Sequence, residues 1–437
     1  MQIDIHLEGS WHPCAELSLT DAAQASRTGG VTLRYDADYA PEHLLARDLR
    51  ALSVRLPVVM AVRQLVKWPS FLIDLLPQGA ARKRLERMSG GAMTVAGAGM
   101  TEWALLERGA LNPVGNLRAH PSTARPHSNH PGFTLREMLD RGDSFIDHAH
   151  AVGATVAGAT DTQGEAPKFW VVQDATGQWH PDDGGFGTSV RRQALLKFPV
   201  PEAGPRATDM LRCEAAYQRV ARQAGLRVTP DLPEFVGDRA LLIPRFDRRV
   251  GDQGEIRLGV ESIYSICGIL NSSNESLRHH TVLIELSRCV NGIEAEMIEY
   301  ICRDILNLAL GNRDNHGRNT AILKDPDGSM RLSPIYDLGP AFLDARNIAR
   351  NIRWDAEPPG AEPNWTEVLL NLETRFEDEN LKAPNLSPVA RAMQAFASTV
   401  RGLPQTMRAC GVDEEVIEAR RDRISALEKS LREVRAP

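Results

Sequence analysis

An apolar helical stripe that opens directly into a crowd of polar side chains constrains this chain most. Met297, Ile298, Ile301, Ile305 and Leu308 recur at helical spacing, and the residues that follow are GNRDNHGRN, 311–319. That periodicity predicts a buried helix face. A buried helix whose exit is loaded with Asp, Asn, His and Arg puts polar groups where burial is expensive, a pattern common where a rigid element presents a site. Within the stretch, Asp314 is followed five positions later by Asn319. Phosphoryl transfer uses this spacing: an Asp receives the proton of the acceptor hydroxyl, and an Asn four intervening residues later holds magnesium. The blander alternative is that both residues only form turns and cap a helix.

A third residue sharpens the choice. Asp337, in PIYDLGP, follows two short predicted strands, TAILKD and SMRLSPIYD, that flank a DPDG turn. Magnesium is a hard cation that takes oxygen ligands, so Asn319, Asp337 and phosphate oxygens would make a sensible shell. Upstream, Lys197 sits in the apolar strand ALLKFP, where an unpaired ammonium is costly. It reads either as a snorkelling edge lysine or as a phosphate-binding lysine, with Glu214 on the next predicted helix as its candidate partner. RALLIPRFDRR, 239–249, has the character of a hinge between two lobes. Pro244 keeps a carbonyl and Phe246 an N–H, the pair that an adenine edge would need, although an ordinary edge strand explains the run as well.

The rest of the chain is consistent with a globular enzyme. Lys plus Arg total 51 against 57 Asp plus Glu, a net charge of −6 over 437 residues, which gives no global reason to bind a polyanion. Direct nucleic-acid binding is not expected. Acidic Asp4 and Glu8 stand where a signal peptide would be basic, and charge interrupts every long apolar run, so no membrane span and a cytoplasmic location are expected. The six cysteines show no close pair and are expected to be reduced. Ile3, Ile5 and Leu7 alternate as a strand does, and so do Val31, Leu33 and Tyr35, while Leu72, Leu75 and Leu76 mark a short helix before Pro77. A second helix is expected over 82–88, and another from Met210 to Ala224 with Gly225 as its stop. One amphipathic helix is expected to close the chain through Ile417, Ile424, Leu427, Leu431 and Val434. His120, His127, His130, His148 and His150 lack the regular spacing of zinc ligands and read as a solvated linker. SGGAMTVAGAGM, 89–100, lacks the ending of a Walker loop.

Taken together in order and spacing, ALLKFP, the helix around Glu214, LLIPRFDRR, GNRDNHGRN and SPIYDLGP resemble the motifs of the HipA family of serine/threonine protein kinases, toxins of bacterial toxin–antitoxin pairs. VTLRYDADY, ALSVRLPV, FLIDLLPQG and EWALLERGALNPVGNL resemble that family's N-terminal part, so the similarity covers nearly the whole chain. The resemblance implies an α/β (more narrowly α+β) fold: a two-lobed protein-kinase-like core with a mainly helical C-lobe, preceded by an α+β subdomain. The boundaries expected are 1–115 for the subdomain, 116–132 for a linker, 133–250 for the N-lobe and 251–437 for the C-lobe. It implies ATP and Mg2+ as cofactors, Asp314 as the catalytic Asp, Asn319 and Asp337 as magnesium ligands, Lys197 on ATP phosphates, and Phe246 in the adenine site.

One motif departs from the family. HipA-like kinases carry S-x-x-G-x-Q-x-K, whose Ser is autophosphorylated; aligned on Lys168, this chain reads DTQGEAPK from Asp161. The Q-G-E-x-P-K form resembles a divergent HipA-like subgroup. Gly153, Gly158 and Gly164 still let backbone N–H groups approach a phosphate, and Lys168 supplies charge. Thr160 and Thr162 become the autophosphorylation candidates, with Asp161 as a permanent negative charge in the alternative. The family implies a Ser or Thr on a cytosolic protein as acceptor, with translation proteins such as aminoacyl-tRNA synthetases among the targets and growth arrest as the outcome. It also implies a HipB-like DNA-binding antitoxin as partner. A small-molecule kinase and a nucleotide-binding regulatory pseudokinase are the competing readings. Lys197, Asp314, Asn319 and Asp337 argue against the second of these.

Overall fold

A computed structural model describes residues 1–21, 25–76, 101–109, 113–119, 131–141, 145, 148–149, 167–182, 190–199, 205–251, 254–270, 276–344, 349–355, 357–358 and 362–437. The helix expected at 82–88, the glycine-rich 89–100 and four of the five clustered histidines fall outside these residues. Contacts divide the chain into two compact units, one of Met1–Thr208, Glu234–Leu270 and Leu323–Ser329, the other of Asp209–Pro233, Asn271–Ile322 and Met330–Pro437.

In the first unit, β1 (Gln2–Leu7) buries Ile3 and Ile5 on one face, as strand alternation demands. With β2 (Ser10–Leu19), β3 (Val31–Tyr35), β4 (Arg63–Leu65) and β5 (Leu117–Ala119) it forms an antiparallel sheet in the order β4-β3-β2-β1-β5. The expected linker at 116–132 therefore starts too early: Leu117, Arg118 and Ala119 pair with Ile5, Asp4 and Ile3. The opposite face of β1 is also covered. Asp4 takes the Arg118 guanidinium at 3.1 Å, and His6 packs edge-on against Trp11, over which Arg118 and Arg257 both lie. Burial and the neighbouring Arg257 lower the His6 pKa to about 4, so the ring is neutral near pH 7. Around this sheet stand α1 (Tyr39–Glu42), α2 (Leu72–Leu75) and α3 (Glu102–Gly109). α2 ends where Leu76 turns extended (ψ 128°), the conformation a residue before proline prefers.

A second antiparallel sheet follows in the same unit: β6 (Lys168–Asp174), β7 (Trp179–Pro181), β8 (Val190–Lys197), β9 (Glu234–Val236) and β10 (Ala240–Pro244), ordered β7-β6-β8-β10-β9. Its inner face gathers Phe133, Phe169 and Phe198 together with Phe145. Thr134 and Glu137 close a reciprocal capping box on α4 (Leu135–Leu139), satisfying N–H groups that a helix start leaves open. The hairpin β11 (Arg248–Gly251) and β12 (Gly254–Arg257) leads to β13 (Gly259–Ser262) and α6 (Ile263–Cys267). These elements group with the first unit, which runs to Leu270 in this part of the chain, past the division expected near 250.

Two buried carboxylates tie this unit together. Asp247 receives Arg245 through two bonds of 3.0 and 2.8 Å, Arg248 at 2.7 Å and the Gly115 N–H at 2.8 Å. The same two arginines reach the carbonyls of Pro113 and Gly115, which fixes the chain just before β5. Glu261 receives Ser53, the Val54 N–H, Ser265 and the Lys324 ammonium, the last at 2.7 Å. Fully hydrogen-bonded in this way, a buried charge is tolerated; with a partner removed it is not.

The second unit is mainly helical. It takes α5 (Pro205–Gln223) from Asp209 onward, then α7 (His279–Ser287), α8 (Ile293–Leu310), the short strands β14 (Ala321–Lys324, its last two residues in the first unit) and β15 (Met330–Leu332), α9 (Trp365–Asp378) and α10 (Leu386–Ala409). Gly225, at φ 80°, closes α5 as expected. The closing helix is two pieces, α11 (Glu414–Glu418) and α12 (Arg421–Arg432). The break has a cause: Arg420 donates from Nε to the Ala309 carbonyl at 2.9 Å and from Nη2 to that of Leu308 at 2.7 Å, capping the last turn of α8. α8 itself is buried more completely than one apolar face requires, with Arg303 and Asp304 inside and Ile298 half-exposed. No helix among the described residues is long and apolar enough to cross a membrane.

Burial would raise the Asp247 carboxyl, but Arg245 and Arg248 outweigh it and hold the pKa far below the carboxylate range. Its stabilisation is therefore complete above an unfolded value of about 4 and fades as pH falls below that. Asp247→Ala should cost about 3–5 kcal/mol in urea unfolding at pH 7, because two arginines are left buried with a partner missing. The difference from wild type should narrow below about pH 4. An unchanged midpoint at pH 7 would contradict this.

Candidate active site

The polar stretch starts where α8 must stop. Gly311 adopts φ 75°, and a Cβ there would lie 2.6 Å from Phe342 and 3.1 Å from the Arg420 guanidinium, so both conformation and space call for glycine. Beyond it the loop is braced by its own amides. Asn312 donates to the Asn307 side chain at 3.0 Å and accepts from the Asp314 N–H at 3.2 Å. Asn319 donates from Nδ2 to the Asp314 carbonyl at 2.8 Å, closing the five-residue step that the sequence had singled out. His316 accepts the Arg318 N–H on Nδ1 at 3.3 Å; a neutral ring then carries its proton on Nε2, which is 3.5 Å from Asp314 Oδ1. Tyr336 closes the other side, its hydroxyl donating to the Arg318 carbonyl at 2.5 Å.

Part of this loop lines one small cavity. Asp314, Asn319, Asn312, Asn315 and Tyr336 contribute to its wall, and Asp337 lies between the lining residues Tyr336 and Leu338. Asp337 has φ 53°, a left-handed conformation that costs a non-glycine residue about 1–3 kcal/mol and that Glu8, Leu45, Arg141, Asp238 and Asn380 also adopt. The donor set also fits magnesium. Because Nδ2 of Asn319 is turned to a carbonyl, its Oδ1 faces the other way as a neutral hard oxygen, and Asp337 offers a carboxylate. Among the described residues no three His, Cys, Asp or Glu side chains come together as a group that could hold a metal ion.

In the first unit, Lys168 opens β6 and Lys197 ends β8, and the two are directly opposite in the antiparallel register. Residues so paired have Cβ atoms about 4.5–5.5 Å apart, and like charges there repel. Both side chains are half-buried. Pro244, the last residue of β10, pairs with Ala194, and Pro244 and Phe246 are half-buried while Arg245 and Asp247 turn inward to the charge cluster. Glu214 is buried on α5 in the second unit. Gly164, Thr160 and Thr162 lie outside the described residues.

A family model, the HipA-like C-terminal domain, matches residues 160–407. The chain belongs to the HipA-like family. Among curated proteins, "Putative kinase Y4mE" of Sinorhizobium fredii is 31% identical over 165 residues, a match spanning 36% of this chain and 38% of that relative. Among solved structures, the HipA of the Shewanella oneidensis MR-1 toxin–antitoxin system, in complex with HipB and operator DNA, covers 99% of this chain and 100% of its own at a TM-score of 0.67 and 18% identity. At that identity the likeness is one of fold, and it bears out the kinase-like α+β architecture expected. The Helicobacter pylori proinflammatory kinase CtkA aligns with 55% of this chain and 86% of its own, at a TM-score of 0.34 and 12% identity.

Asn312, His316 and Tyr336 were not singled out in the sequence. Asn312 and His316 carried a signal, each two residues from Asp314 inside a polar loop, but nothing near Tyr336 pointed to Arg318. Gly311→Ala should destabilise the protein by about 1–3 kcal/mol through its left-handed backbone alone. It should also displace Phe342, which thermal unfolding together with the crystal structure of the variant would show. A variant with wild-type stability would mean that the α8 exit tolerates a side chain.

Proposed function

We propose that the protein is an ATP-dependent phosphotransferase of the HipA type, acting on a Ser or Thr hydroxyl of a protein. The observation that carries this reading is the closure of Asn319 onto the Asp314 carbonyl around one small cavity at the exit of a buried helix. In this reading the Asp314 carboxylate receives the proton of the acceptor hydroxyl as its oxygen bonds to the γ-phosphorus, and the bond from that phosphorus to the β–γ bridging oxygen breaks to release ADP. Magnesium held by Asn319 and Asp337 would neutralise charge on the phosphate oxygens. The register that brings Lys168 opposite Lys197 supports the same reading, because it sets two cationic side chains on adjacent strands, as polyphosphate binding requires. Lys197 with Glu214 as its partner, the Gly164 loop, and Pro244 with Phe246 at the adenine complete the assignment.

A translation protein, such as an aminoacyl-tRNA synthetase, is the acceptor that family membership favours. The HipB present in the Shewanella complex favours a HipB-like antitoxin as partner. Control by autophosphorylation at Thr160 or Thr162 is preferred over mimicry by Asp161, since phosphate brings about −1.5 to −2 charge and three strong acceptors.

Incubation with labelled ATP, magnesium and a bacterial lysate should label a discrete protein. Asp314→Ala should fold and lose at least about 100-fold in rate, the range for a positioned proton acceptor. Asn319→Ala and Asp337→Ala should each raise the magnesium requirement and combine non-additively, as two ligands of one ion do. Near-normal turnover by Asp314→Ala would overturn the assignment. Mass spectrometry after ATP incubation should find phosphate on Thr160 or Thr162 in wild type and not in Asp314→Ala. An unmodified loop during turnover of exogenous substrate would rule out this control.

A further inference from the structure

In kinases the segment after the metal-binding Asp is commonly ordered by phosphate added to one of its own hydroxyls, which then pairs with arginine. Residues 338–364 of this chain, LGPAFLDARNIARNIRWDAEPPGAEPN, contain no Ser, Thr or Tyr. They contain arginines all the same, and one of them meets a carboxylate that is already in place. Asp304, on α8 and 3% exposed, receives Arg350 Nη2 at 2.7 Å and the Trp354 indole N–H at 2.7 Å, both on Oδ2. The same guanidinium donates to His279 Nε2 at 3.0 Å and lies 3.3 Å from Glu357. Trp354 is fully buried, stacked on His279 with centroids 4.6 Å apart. Burial and the facing Arg350 keep His279 neutral, its pKa lowered to about 3, so the ring serves as acceptor at any ordinary pH.

The stretch held in this way touches the polar loop. Between Arg350 and Trp354, the Ile352 carbonyl accepts from Asn315 Nδ2 at 3.1 Å, and Asn315 is the residue next to Asp314. The Arg353 carbonyl accepts the His279 N–H at 3.1 Å, so the strand-like stretch is pinned on both sides of Ile352.

We propose that Asp304 is a built-in substitute for an activating phosphate: by gripping Arg350 and Trp354 it sets residues 350–355, and through the Ile352 carbonyl and Asn315 it positions the loop that carries Asp314. Asp304, Arg350 and Asn315 are positioning residues on this account, and the segment needs no modification to adopt its working form. The inference rests on the phosphotransferase reading for its kinetic arm only.

The test combines kinetics with hydrogen exchange. In Asp304→Asn the indole keeps an acceptor while the guanidinium loses the closer of its two counter-charges and keeps only Glu357, at 3.3 Å. Backbone amides at 350–355 and 312–319 should lose protection together, by at least about 10-fold each, and kcat should fall about 10- to 100-fold with KM for ATP within about 2-fold, the pattern of a misplaced reacting group. Asp304→Glu should recover part of both. Because Asp304→Asn removes a buried charge and could fail to fold, Asn315→Ala provides the second arm: it should lower kcat comparably while leaving 350–355 protected. Faster exchange confined to 350–355 with kcat unchanged would overturn the proposal, and so would wild-type kcat in Asn315→Ala. A wild-type protein without phosphotransfer would sink the functional reading, while coupled exchange of the two segments would still report the brace.

Discussion

The end of α8 is the constraint on which the site depends. A helix leaves its last carbonyls without partners, and one that ends inside a protein must find donors for them. Here Arg420 supplies two donors to Leu308 and Ala309, and the Tyr217 hydroxyl supplies one to Leu310 at 2.9 Å. Gly311 then turns the chain through a left-handed residue too crowded for any side chain. The loop from Asn312 to Asn319 inherits its position from that stop. Arg420 obtains its own reach by breaking the closing helix between α11 and α12, so distant sequence is committed to one helix terminus.

Three buried carboxylates follow one rule. Asp247, Glu261 and Asp304 are each almost fully buried, and each receives at least one cation and further hydrogen bonds. For all three, burial would favour the neutral acid, and arginine or lysine reverses the direction. Such groups add little net stability against an apolar core, but removing one partner exposes the full desolvation penalty of the other. They therefore act as pins that fix register: Asp247 holds residues 113–115, Glu261 holds residues 53–54, and Asp304 holds residues 350–354.

What the sequence made legible follows from periodicity and from local motif spacing. Strands β1, β3 and β10, helix α8, the turn before β15 and the Asp314–Asn319 step all announce themselves within fewer than twenty residues. The boundary expected at 116 failed because β5 is only three residues long, and its pairing with β1 is more than a hundred residues away. The continuous closing helix failed for a related reason. Ile417 and Ile424 keep helical spacing across Ala419 and Arg420, and only the carbonyls of Leu308 and Ala309 explain why the chain breaks there.

The same logic separates Asp314 from Asp304. Asp314 sits among other polar residues after the apolar run has ended, so its local context already marks it as presented to a site. Asp304 lies inside the run, between Ile301 and Ile305, where a carboxylate in a helical stripe reads as a solvent-facing position. Its partner Arg350 is 46 residues away, and its effect on Asn315 passes through a backbone carbonyl, to which sequence is blind. A side chain whose chemistry is local can be recognised from its neighbours. One that acts by ordering another segment becomes visible only when the fold brings the two together, and the absence of any hydroxyl from 338 to 364 gains meaning only beside that contact.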